Sequence, residues 1–122
     1  MKGIGADVVS VSRIETVLGR TPAFAEAVFT AAERADCDAQ RAPGRAYAVR
    51  FAAKEAFLKA LGLGVMAGVA LSDIEVRPGP GGLPHLELGP TAAGALRRCG
   101  GATPLLSLSN GGDLAVAMVV VP

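Results

Sequence analysis

Arg50-Phe51-Ala52-Ala53-Lys54-Glu55-Ala56-Phe57-Leu58-Lys59-Ala60-Leu61-Gly62 reads as a helix stopped by glycine, and its charges sit where a merely structural helix would not put them. At 100° per residue, Phe51, Phe57, Leu58 and Leu61 share one flank, while Ala52, Ala53, Ala56 and Ala60 pave the opposite one. Lys54 projects from the middle of the large apolar flank; Glu55 and Lys59, spaced i and i+4, fill the border between the flanks. An unpaired charge in such surroundings costs several kcal/mol. Partners must therefore come from elsewhere in the fold, from a metal, or from an anionic ligand.

Towards the amino terminus, Lys2 to Val9 alternates Ile4, Ala6 and Val8 with Gly3, Gly5 and Asp7, the period of a strand whose glycines clear space beside Asp7. Ser12-Arg13-Ile14-Glu15 has the serine and glutamate of a capping box, so a helix is expected from there to about Arg20, with Arg13 and Arg20 on nearly the same face. Thr21-Pro22 opens a short helix, and Thr30-Ala31-Ala32-Glu33 is a second capping box. The polar run Asp36 to Arg45, with Pro43 and Gly44 marking a loop, precedes a long helix from Arg45 to Leu61.

Beyond Gly62, Asp73 to Arg77 and Pro84 to Leu88 look like hairpin strands joined by a Pro/Gly turn, and Thr91 to Arg98 is an alanine-rich helix. Leu105 to Ser109 and Leu114 to Val121 form a second hairpin around Asn110-Gly111-Gly112-Asp113. The last strand is apolar on both faces and should be central or covered at an interface. This order argues an α+β fold, an antiparallel sheet packed against a long central helix.

With 122 residues the chain fits one domain, residues 1–122. A net charge of +1 without a basic tract gives no field for general nucleic-acid binding, and an aromatic content of 4% leaves little for base stacking. The amino-terminal residues turn polar too early for a signal peptide and no apolar run approaches the roughly 18 residues of a membrane span, so a cytoplasmic protein is expected. Cys37 and Cys99 match no metal spacing and read as free thiols.

Asp7 beside its glycines and Glu55 on the helix could together hold one hard cation. Magnesium takes one or two protein carboxylates and completes its octahedron with water and phosphate oxygens, so two acids suffice where the substrate is a phosphate ester. The plainer alternative is a pair of salt bridges, Glu55 to Lys59 and Asp7 to an arginine.

Gly3-Ile4-Gly5-Ala6-Asp7 with Arg13, Phe29 to Glu33, Arg50 to Ala60, Asp73-Ile74-Glu75 and Leu106-Ser107-Leu108-Ser109 together resemble holo-[acyl carrier protein] synthase, the small type of 4'-phosphopantetheinyl transferase. The resemblance spans nearly the whole chain and implies that family's fold. It also implies a magnesium-dependent transfer of phosphopantetheine from coenzyme A to a serine of an apo acyl carrier protein, releasing adenosine 3',5'-bisphosphate. By resemblance, Asp7 and Glu55 are the metal ligands, and Glu55, Asp7 and Lys59 carry catalysis. Arg50, Lys54, Lys59, Ser109 and Asn110 face the coenzyme, Arg13 and Arg20 face the carrier protein, and the assembly is a homotrimer with sites between subunits. Glu33 is a third candidate acid, balanced against its capping role.

Three positions depart from the family pattern. Asn110 stands where histidine is usual; it can hydrogen-bond but cannot become cationic near neutral pH. His85 lies on another strand and reads as a surface or structural residue. Ala23 and Ala27 stand where further basic residues are common, so charge steering should be weaker, as suits a carrier of polyketide or other specialised metabolism. The rival reading is a trimeric coenzyme A- or carrier-binding homologue whose transfer is impaired by Asn110.

Overall fold

β1 (Gly3–Ser10) enters the molecule as an edge strand whose glycines let it lie directly on a helix. The structure, a computed structural model, describes residues 2–64 and 67–122. Three short helices follow β1: α1 (Val11–Arg20), α2 (Pro22–Val28) and α3 (Ala31–Asp38). Next come the long helix α4 (Pro43–Ala60), a 3-10 turn at Leu71–Asp73, and the hairpin β2 (Ile74–Pro78) and β3 (Pro84–Leu88). The chain closes with α5 (Pro90–Cys99), β4 (Leu105–Gly111) and β5 (Leu114–Val121). The sheets are antiparallel, one with strand order β1-β5-β4 and one formed by the β2-β3 hairpin.

β5, apolar on both faces, is the central strand, as its composition requires. Its inner residues Ala117, Val119 and Val121 are fully buried against Ala52, Ala53, Ala56 and Ala60, so the alanine flank of α4 lies on the chain's own sheet. β1 lies closer still: a Cβ on Gly3 would run into the carbonyl oxygen of Ala60, and one on Gly5 into that of Ala56. Ile4, Ala6 and Val8 of β1 face the other way, while Val9 packs inward. Ile4, Val8, Leu105, Leu114 and Met118 are 45–61% exposed on the outer side of the sheet. A second core gathers Phe29, Tyr47, Ala48 and Ala115 with Ile14 and Val28, seating α1 to α3 beside the first half of α4.

Local expectations fail at two helix starts. The N-cap of α1 is Ser10, whose hydroxyl accepts from the N–H of Arg13, while Ser12 is already inside the helix. The Ser12–Glu15 pattern misled because Ser10 stands two residues before Ser12 and extends the strand into the cap. Pro43 and Gly44 open α4 instead of forming a loop; proline at the first helical turn sacrifices no hydrogen bond, and Gly44 makes room for the side chain of Glu15. The Thr30–Glu33 capping box forms with both reciprocal bonds, and Gly62, at φ 71°, follows the end of α4.

Candidate active site

The glycine-paved contact between β1 and α4 delivers Asp7 to the helix border that carries Glu55 and Lys59. Lys59 Nζ donates to Asp7 Oδ1 at 2.8 Å and to the carbonyl of Ala6 at 3.2 Å. Glu55 faces the same place: partial burial raises its pKa above the usual carboxylate value, the charge of Asp7 raises it further, and Lys59 pulls it back. Two carboxylates thus lie near one lysine, which pairs with Asp7, leaving a net negative group at the edge of the sheet.

That donor set fits magnesium. Among the described residues no group of three or more His, Cys, Asp and Glu side chains is placed to hold a metal. Two carboxylates suit a hard cation that takes its remaining oxygens from water and a phosphate ester.

Lys54 belongs elsewhere, which corrects its assignment to the coenzyme. It is wholly buried, donating to Glu33 Oε1 at 2.7 Å, to the carbonyl of Ile74 at 2.7 Å and to that of Leu71 at 3.0 Å. An ammonium has three protons, and all three are committed. Glu33 is buried and held by three donors, the N–H groups of Thr30 and Val76 as well as Lys54, so its role is structural. Burial lowers the pKa of Lys54, and Glu33 opposes that shift.

Arg50 is nine residues before Lys59, half a turn of azimuth away, and points to the other side of α4. It lines two adjoining clefts. One, of about 310 Å³, is walled by Arg41, Arg45, Val49 and Asn110; the other, about 440 Å³, lies between the β2-β3 hairpin and β4 and is lined by Val76, Leu83, Pro84, Leu106 and Ser107. Arg45 Nη1 donates to Asn110 Oδ1 at 3.3 Å and Nη2 to the carbonyl of Gly112 at 2.7 Å. Arg41 and Arg45 went unnoticed in the sequence; the signal was three arginines within ten residues of a chain otherwise thinly charged there.

Asn110 and Ser109 point to opposite faces of β4, as successive strand residues must, so Ser109 lies on the exposed outer face opposite Val116. Arg13 and Arg20 are exposed on α1, clear of both clusters. His85 lies on the hairpin beside Glu87, outside the site, as expected.

The fold and the sequence as a whole match known proteins. The family model for the 4'-phosphopantetheinyl transferase superfamily matches residues 3–119. A holo-[acyl-carrier-protein] synthase of Desulforudis audaxviator is 48% identical over 97% of this chain and 90% of its own length. The crystal structure of holo-[acyl-carrier-protein] synthase from Neisseria meningitidis superposes with a TM-score of 0.90 at 34% identity, covering 100% of this chain and 98% of that one. The Helicobacter pylori holo-[acyl-carrier-protein] synthase, solved in complex with coenzyme A, does so with 0.83 at 29% identity, covering 98% and 99%. With the match running from the first strand to the last, the chain belongs to the 4'-phosphopantetheinyl transferase superfamily.

Proposed function

We propose that this chain, acting as one domain over residues 1–122, is a cytoplasmic holo-[acyl carrier protein] synthase. It moves 4'-phosphopantetheine from coenzyme A to a serine of an apo acyl carrier protein and releases adenosine 3',5'-bisphosphate. The observation that carries this reading is the convergence of Asp7, Glu55 and Lys59 at one edge of the sheet. Asp7 and Glu55 would hold magnesium, which when bound offsets negative charge on the pyrophosphate.

The chain's own groups account for the rest. The serine oxygen attacks the β-phosphorus of coenzyme A, the bond from that phosphorus to the bridging oxygen breaks, and the bisphosphate departs with the electron pair. Glu55, whose pKa is raised by burial, takes the serine proton. Lys59 turns from Asp7 to the pyrophosphate, where negative charge builds. The leucine- and proline-lined cleft suits the adenine, and Arg41, Arg45, Arg50 and Asn110 suit the phosphates of its ribose end.

Arg50 and Lys59 face opposite sides of α4, so one coenzyme A reaches both kinds of site only between subunits. The outer sheet face, with Ile4, Val8 and Met118 uncovered beside Ser109, supplies the apolar surface that a homotrimer buries. A cleft of about 300 Å³ lined by Val8, Arg13, Ile14, Val17, Phe24 and Phe51 lies beside the carrier-facing side of α1, suited to an apolar residue of a docking helix. With only Arg13 and Arg20 basic on that helix, the preferred carrier is a moderately acidic one, of polyketide or other specialised metabolism.

The deciding experiment is mass spectrometry of several apo carrier proteins incubated with the protein, coenzyme A and magnesium. A gain of one phosphopantetheine on a carrier serine is expected; no gain on any carrier defeats the reading in favour of the impaired homologue.

A further inference from the structure

The turn between β4 and β5 is tied to two helices. Asp113 Oδ2 accepts from the hydroxyls of Ser10 at 2.6 Å and Ser12 at 2.9 Å, and Oδ1 accepts from the N–H of Ser12 at 2.9 Å. The Asp113 carbonyl accepts from the N–H of Val11 at 2.7 Å, and Ser10 Oγ accepts from that of Arg13 at 3.3 Å. The first N–H groups of α1, which have no partner within a helix, are thereby satisfied largely by one residue that is distant in sequence. α1 has no acidic residue in its own first turn, so Asp113 also supplies the negative charge that a helix N-terminus favours. The donors from Ser10 and Ser12 hold the Asp113 carboxyl below its usual range, so it is ionised at neutral pH. From the other side, Arg45 grips the same turn through Asn110 and Gly112.

We propose that Asp113 is a positioning residue for the transfer, locking the first turn of α1, and with it Arg13, in register with the cleft that holds Arg45. This rests on the reading that the carrier docks on α1. Attack on phosphorus needs the serine oxygen and the pyrophosphate within about 3–3.5 Å, and displacement of the docking helix by an ångström is costly. A bonded strut runs from α1 through Asp113 and Gly112 to Arg45, linking the carrier surface to the basic cleft. Ser10 also ends the strand that carries Asp7, so the lock bears on the metal-ligand end of β1 as well.

The test is steady-state kinetics of Asp113→Ala and Asp113→Asn with carrier and coenzyme A varied separately. Asp113→Ala is expected to raise KM for the carrier about tenfold while KM for coenzyme A stays within about twofold. Asp113→Asn, which keeps an acceptor for the N–H of Ser12, should recover most of the loss. An equal rise in both KM values, or a lowered Tm with neither KM changed, overturns the proposal and leaves Asp113 as a simple helix cap. Should Asp113→Ala fail to fold, the Ser10→Ala/Ser12→Ala double variant keeps the backbone bonds to Asp113 and must show the same carrier-specific rise. Arg13→Glu separates the underlying reading: if it leaves carrier KM unchanged, docking on α1 is wrong and the proposal falls with it. If Arg13→Glu raises carrier KM and Asp113→Ala does not, docking stands and the lock alone fails.

Discussion

Lys54 and Lys59 stand on the same helix five residues apart, and each reaches one carboxylate at nearly the same distance, 2.7 Å for Glu33 and 2.8 Å for Asp7. Their surroundings separate them. Both side chains of the first pair are 0% exposed, whereas Lys59 is 53% exposed and Asp7 15%. The buried pair joins α3, α4 and the start of β2 through four hydrogen bonds outside the Thr30–Glu33 cap, and every ammonium proton of Lys54 is used locally. The exposed pair contributes about 0–1 kcal/mol to stability, so a lysine kept there is free to change partner. The buried charge is committed to the fold, and the exposed one keeps the freedom to take another partner.

The largest effect should come from breaking the buried pair. Lys54→Met leaves the Glu33 carboxylate buried without its cation and should cost about 3–5 kcal/mol of stability by urea denaturation, whereas Lys59→Met should cost no more than about 1 kcal/mol. Adding Glu33→Gln to Lys54→Met removes the stranded charge and should restore part of the loss. Equal losses from the two lysine variants would erase the distinction.

Catalysis should reverse the order. Lys59→Ala is expected to lower kcat about 10²–10³-fold while unfolding close to wild type, since it removes a cation needed where negative charge develops. Lys54→Met, assayed at a temperature where it remains folded, should keep kcat within a few-fold of wild type. A Lys54 variant that folds yet loses turnover to the same degree would return Lys54 to the site.

The sequence made half of this contrast legible. Gly3 and Gly5 beside Asp7 announced a close approach and the i, i+4 spacing put Glu55 and Lys59 on one border, but the sequence offered Asp7 an arginine and the structure gives it Lys59. Lys54 was ambiguous for a physical reason: a helical wheel gives direction but not what waits there, and a buried acid and a bound phosphate answer an unpaired lysine equally well. Glu33 could have resolved it only if its capping box had been placed next to α4, a contact across 21 residues of sequence. The exposure of Ile4 and Val8 was likewise hidden, because alternation identifies two faces without saying which is covered.

The smallest effect tests the buried region without touching either lysine. Cys37 lies one turn after Glu33 on α3, fully buried, and its thiol is pushed up to about 11 from 9.0, chiefly by burial, with Arg50 pulling it down and Glu33 adding to the rise. A folded value above the unfolded one means that the native state holds its proton longer. The associated stability is therefore intact below pH 9 and lost as pH rises from 9 through 11, about 1 kcal/mol of it by pH 10. Tyr47, raised by burial and by its bond to Asp38, adds a loss of the same sign above pH 10. Lys54, lowered by burial, contributes the opposite slope up to its unfolded value of 10.5. Comparing wild type with Cys37→Ala cancels the Lys54 slope, since both proteins retain Lys54, and stopping at pH 10 leaves out the loss from Tyr47, which begins only above it. Between pH 8.5 and 10, wild type should lose about 1 kcal/mol more than Cys37→Ala, and Lys59→Met should follow wild type. Parallel curves for wild type and Cys37→Ala would mean that water reaches the α3–α4 contact, and with water there the pair Lys54–Glu33 would be no drier than Lys59–Asp7.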